Sequence, residues 1–201
     1  MIWGEIPEEV RGVFADSDIW WEKGQRSTIK QFLSQYTLHD SYWRSIDFEH
    51  GGVLYAVMLF DIQHVDPKRH KLDLPIIGEG RGRPFYTGQW PYLCIRFNGV
   101  HQLLSKHSEK YVVDDVVNAA STRILTEEQR SEWLDSILKL SLFSDDVADF
   151  LLNEGVHITT FEGTGVNHVH VVHNEPTQFL CVKQDGSFVH LPDLAVPDNT
   201  R

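Results

Sequence analysis

"SYWRSIDFEHGGVLYAVMLFDIQH", residues 41–64, decides the fold class. Two runs rich in aromatic and β-branched residues flank Gly51-Gly52. Such side chains suit a pleated, half-buried surface, and paired glycines supply the turn, so the stretch is expected to be a β-hairpin. In the first run Trp43, Ser45 and Asp47 alternate with Arg44, Ile46 and Phe48, and the apolar residues do not all fall on one side. A link this short makes the two strands antiparallel neighbours.

The same texture continues outward. In "YLCIRFNGVHQLLSKHSEKYVVDDVV", residues 92–117, Asn98-Gly99 is a turn signal between two strand-like runs, and Asp185-Gly186 marks a final hairpin near the C-terminus. Helical spacing occurs in two places. In "STIKQFLSQY" the residues Ile29, Phe32, Leu33 and Tyr36 share one face behind Ser27 or Thr28 as cap. Farther on, Thr126 and Gln129 have the spacing of a capping box ahead of Trp133, Ile137 and Leu140, and a second helix carrying Val147, Phe150 and Leu151 is expected to end at Gly155. The segment between residues 64 and 91 has no helical period and is expected to be a loop or an extension of the hairpin. Together these predict an α+β protein, a mainly antiparallel β-sheet with about four flanking helices. It is built either as one domain or as two parts, 1–120 and 121–201, that meet near Ser121 to Thr126.

Composition excludes several function classes. The chain has 201 residues, 41% of them hydrophobic, enough for a well-buried core. Its net charge of −11 argues against nucleic acid as a partner, because binding phosphates needs a cationic surface that displaces counterions. A basic protein partner would be attracted instead. The most apolar run, "VLYAVMLF", spans residues 53–60, far short of the roughly 18 residues a membrane-spanning helix needs. Glu5, Glu8 and Glu9 stand where an export signal would need a basic start, so a cytoplasmic protein is expected. Cys94 and Cys181 lie in separate apolar stretches, and no disulfide framework is expected.

The densest group of chemically capable residues is "NHVHVVHN", residues 167–174. On a strand His168 and His170 share a face and His173 takes the other, so at most two converge. With Glu175 the spacing becomes H-x-H-x-x-x-x-E, which resembles the first metal motif of the cupin family. That resemblance implies a small metal-dependent enzyme with His168, His170 and Glu175 as ligands and His190 or His157 completing the set. It covers about a dozen residues, and the motif that would follow in a cupin is missing around His190. The plainer account is a strand with one wet face, and no metal or cofactor is expected.

Two further stretches invite chemistry. "LHDS", residues 38–41, sets His39 and Asp40 beside Ser41, but adjacent side chains diverge and cannot form a Ser-His-Asp relay. A junction in which Asp40 or Ser41 caps free backbone groups is expected there. "IIGEGRGRPF", residues 76–85, looks like a phosphate loop but leads into Pro84 and a strand-like run rather than a helix. Charge is also uneven: residues 67–84 carry five basic against two acidic residues, a net +3, while residues 145–201 carry nine acidic against two basic, a net −7.

"YTLHDSYWRSIDFEHGGVLYAVMLFD" followed by "YLCIRFNGV" resembles a pattern found in small uncharacterised bacterial proteins, some of them classed as immunity proteins of polymorphic toxin systems. There a His-Asp-Ser or His-Asp-Ala step leads into an antiparallel meander whose later strand carries a Phe and a Gly-Val. The similarity covers roughly Tyr36 to Val100. It implies a non-catalytic cytoplasmic protein that binds and blocks a basic toxin. The acidic residues Asp145, Asp146, Asp149 and Glu154 are the candidate partner-binding surface, and self-association is left open.

Overall fold

The structure is a computed structural model that describes residues 2–15, 17–49, 52–80, 83–86, 89–106, 116–129, 131–132, 155–163, 168–192 and 194. Eleven strands are described: β1 (Ile2–Gly4), β2 (Gln25–Ser27), β3 (Ser41–Glu49), β4 (Val53–Leu59), β5 (Ile76–Gly80), β6 (Arg83–Tyr86), β7 (Tyr92–Lys106), β8 (Val116–Ile124), β9 (Val156–Gly163), β10 (His168–Val182) and β11 (Phe188–Val189). The helices are short: α1 (Gly12–Ala15), α2 (Ser17–Trp21) and α3 (Ile29–Gln35), with a single 3-10 turn at Glu8–Val10. The mainly antiparallel character expected from the sequence is therefore present, with fewer and shorter described helices than the α+β expectation of four.

Six strands close on themselves in the order β3-β4-β7-β10-β9-β8, and β8 returns to β3. Every pairing is antiparallel. The ring takes strands from both sides of residue 120. Its seam is narrow, since β3 and β8 share only Ser41↔Val117 and Tyr42↔Val116. Beyond that seam, among the described residues, β8 pairs with β9 alone, while β3 pairs with β1 through Ser45–Asp47.

Two apolar layers explain the sequence texture. The interior gathers Ile46, Leu54, Met58, Leu93, Ile95, Phe97, Phe161, Val169, Val171 and Phe179. A separate cluster outside the wall packs Val10, Val13 and Trp21 onto Tyr55, Val57, Cys94, Leu180 and Val182. β4 lies between the two layers, so its central five residues are all buried, which is why "VLYAVML" is apolar throughout instead of alternating. The imperfect alternation of β3 has another cause. A register shift between Trp43 and Ser45 bulges the strand at Arg44, so that Trp43 and Ile46, three residues apart, both face the core.

α3 packs Ile29 and Phe32 into the main core. Thr28 caps it by accepting from the Gln31 amide at 3.0 Å, as its sequence predicts. Its Phe32 lies 4.6 Å from Phe179, ring on ring at 3°. The other local signals give mixed results. Thr126 and Gln129 cap each other reciprocally at 3.2 and 3.3 Å, and Asp185-Gly186 makes the turn into β11, with Gly186 at φ 81°. Asn98-Gly99 is not a turn: it lies inside the continuous strand β7, with Gly99 at φ 54° where the β7–β10 ladder slips. A left-handed glycine serves a bulge as well as a hairpin, so the dipeptide alone could not separate the two. The region 64–91 also differs from the loop expectation, because β5 and β6 form a small two-stranded sheet. The helix positions Trp133, Ile137, Leu140, Val147, Phe150 and Leu151 lie outside the described residues. No described helix is long and apolar enough to cross a membrane, and both cysteines are free and buried.

Candidate metal centre at the end of the first hairpin

The hairpin β3–β4 pairs Tyr42 with Leu59, which brings the chain entering β3 beside the chain leaving β4. On the entering side a turn closes with the Ser41 amide donating to the Leu38 carbonyl at 3.0 Å. Its third residue, Asp40, sits at φ 64°, a left-handed conformation that Asp tolerates better than most residues. The Asp40 amide donates to the Val117 carbonyl at 2.9 Å, which ties the turn to the barrel seam. On the leaving side Asp61 accepts from the Gln63 amide at 2.7 Å and starts the turn that returns His64 toward Asp40.

Three ligand-type side chains meet there. His39 Nδ1 lies 3.0 Å from Asp40 Oδ2, and His64 Nε2 lies 3.5 Å from the same oxygen. The ligand atoms of His39, Asp40 and His64 all fall within 4.8 Å of one another. A fourth group stands behind them: Asp61 Oδ2 is 3.7 Å from His64 Nε2, and its side chain is only 2% exposed. Burial raises the Asp61 carboxyl above its ordinary range, and the carboxylate of Asp40 adds to this, while the Gln63 amide and the two histidines oppose it. A divalent ion bound tetrahedrally at 2.0–2.2 Å sets its ligand atoms about 3.3–3.6 Å apart, against 3.0, 3.5 and 3.7 Å for the three imidazole–carboxylate separations here. His39, Asp40 and His64 are each about half exposed, which leaves coordination positions open to water or substrate.

Ser41 is not a nucleophile in this arrangement. It is fully buried, and its Oγ accepts from the Asp61 amide at 3.0 Å. The expectation that the His-Asp-Ser step caps backbone groups therefore holds for Ser41, while His39 and Asp40 turn outward. Sequence reading missed His64 and Asp61. Their signal lay in the hairpin itself, whose register carries "HD" at one end across from "DIQH" at the other.

The cupin-like set does not assemble. His168 and His170 stack at 6.0 Å on the face of β10 opposite Val169 and Val171, and His170 is hydrogen-bonded to Thr160. Glu175 is drawn away, accepting from the Ile29 amide at the start of α3 at 3.0 Å and from the Thr177 hydroxyl at 2.9 Å. Burial raises its pKa and these hydrogen bonds oppose the rise. His190 is exposed beyond β11. Among the described residues, the ligand-type side chains that converge on one point are His39, Asp40 and His64. The two histidines of β10 share a face and His173 takes the other, as strand geometry requires, but His173 is wholly buried rather than wet. His157 pairs across from it. The acidic candidates Asp145, Asp146, Asp149 and Glu154 lie outside the described residues. The phosphate-loop look of residues 76–85 corresponds to β5 and β6 and opens no helix.

No family model, no curated protein and no solved structure matches the chain.

Proposed function

We propose that this chain is a metal-binding β-barrel protein that holds a divalent transition-metal ion with His39, Asp40 and His64, and with Asp61 as a buried fourth carboxylate. The observation that carries the reading is the convergence of those three ligand atoms from the two ends of one hairpin within 4.8 Å. Two imidazoles and a carboxylate with open positions suit zinc or ferrous iron better than calcium or magnesium, which prefer oxygen donors. The test is titration of chelator-stripped protein, carrying no histidine tag, with Zn2+, Fe2+ and Mn2+. One ion is expected to bind per chain, and zinc at a hundredfold excess over its Kd should raise unfolding stability by about 2.7 kcal/mol. Absence of binding at millimolar ion, or binding that survives both His39→Ala and His64→Ala, overturns it.

A second reading is favoured by the net charge of −11 together with the resemblance over Tyr36 to Val100: a non-catalytic, immunity-like protein that opposes a basic toxin in the cytoplasm. Charge complementarity would accelerate association and lose its effect at high salt. Capture of a basic partner from the native host at low salt, released by high salt, supports it. Failure to protect cells against every neighbouring toxin gene product counts against it.

A further inference from the structure

Seven residues along β8 from the seam, where Ile124 pairs with His157, a second group of histidines meets inside the barrel. His173 on β10 is 0% exposed and lies directly across from His157 on β9, their rings 6.0 Å apart. Phe97 of β7 meets the His173 ring edge-on at 4.8 Å. His173 Nδ1 is 2.8 Å from the Asn174 carbonyl, which can only accept, so this nitrogen carries the hydrogen. Its Nε2 lies 2.8 Å from the Thr159 hydroxyl, which is also 3.1 Å from the Thr122 hydroxyl of β8. Each ring nitrogen thus has one polar partner, the Asn174 carbonyl of β10 and the Thr159 hydroxyl of β9.

Among the described residues, no acid acts on this ring to balance a charge on it. The titratable groups acting on His173 are His157 from β9 and His101 from β7, both of which would repel a second cation. Glu175 on β10 is held at the start of α3, and Arg96 of β7 reaches Gln178 and the ring of Tyr55. Arg123 of β8 lines the outer surface, and Glu162 of β9 acts on His170 instead. His157 Nδ1 is also buried without a hydrogen-bond partner, and burial lowers the pKa of both His157 and His101.

We infer that this cluster is an acid-triggered latch: at neutral pH it holds β9 and β10 closed over Phe97 and Phe161, and proton uptake by its histidines releases that end of the barrel. The latch shares neither residues nor its end of β8 with the candidate metal centre. Burial pushes His173 down to about 4 from the ordinary 6.5, so the open form takes up protons about 300-fold more readily than the closed one. Because the closed-state value is the lower one, stability is full above pH 6.5 and is lost as pH falls from 6.5 toward 4.

Amide hydrogen exchange at pH 7 and pH 4.5, corrected for intrinsic rates, tests this. The expected result is a loss of protection of up to about 100-fold at Thr159, Val171 and His173, with Val57 and Ile95 on the β4–β7 side unchanged. His173→Gln should remove most of that pH dependence. Equal loss at every strand would mean global unfolding rather than a latch, and an unchanged pH response in His173→Gln would overturn the role of this ring. If that variant does not fold, the His173 ring resonance in the unaltered protein decides. A midpoint near 4 that coincides with the loss of β9–β10 protection supports the latch, and a midpoint near 6.5 with protection intact overturns it.

Discussion

Asp40 serves two roles that three substitutions can separate. Its backbone occupies φ 64° while its amide joins the seam at Val117, and its carboxylate lies between His39 and His64. Alanine in a left-handed conformation costs about 1–2 kcal/mol, because Cβ crowds the following carbonyl and the side chain has no local hydrogen bond to offer. Part of that is offset by roughly 0.4–1 kcal/mol, since alanine restricts the unfolded chain more than glycine does. Asp40→Ala should therefore be less stable than Asp40→Gly by about 1 kcal/mol, with Asp40→Asn close to the unaltered protein. Metal binding should follow a different order. Losing an outer-sphere partner of a metal typically weakens binding 10–100-fold, so losing this carboxylate should weaken zinc by at least about 100-fold in all three variants. Urea unfolding in the presence of a chelator measures the first effect, and zinc titration of the chelator-free protein measures the second. If Asp40→Ala proves no less stable than Asp40→Gly, the left-handed turn is not held by its surroundings. If Asp40→Asn binds zinc as tightly as the unaltered protein, the carboxylate is not a ligand.

Other consequences follow from packing and burial. Phe32→Ala removes the buried ring stacked on Phe179, and urea unfolding should show a loss of about 3–5 kcal/mol; a loss under 1 kcal/mol would mean α3 is not integral to the core. Gly99→Ala would place a Cβ 2.6 Å from Asn174 Nδ2 at φ 54°, and a loss of about 1–3 kcal/mol is expected in the same assay. Glu175 has a raised pKa in the folded state, so its contribution is fully present below the ordinary carboxylate range and is lost as pH rises through the raised value. The stability of the unaltered protein relative to Glu175→Gln should accordingly decline as pH rises above the ordinary carboxylate range, and a flat difference would show that the Glu175 pKa is not raised.

Local sequence determined those elements whose cause is local. The β3–β4 hairpin follows from two strand-forming runs around paired glycines, α3 from an apolar face behind Thr28, and the start of the next helix from the reciprocal Thr126 and Gln129 bonds. Strand period by itself also separates His173 from His168 and His170. Tertiary structure decided whatever depends on which segment lies opposite. Asn98-Gly99 became a bulge because β10 continues past it as a partner, and Arg44 was extruded because Trp43 and Ile46 both found places in the core. The candidate metal centre is legible only in part. "HDS" stands out in the chain, but its partners His64 and Asp61 come from the far end of the hairpin, and their approach depends on a register shifted by that bulge. Burial sorted the histidines in the same way. The sequence sets their alternation along β10, but the closed barrel places His173 against Phe97, Thr159 and His157, since desolvation depends on every strand around a residue and not on its neighbours in the chain.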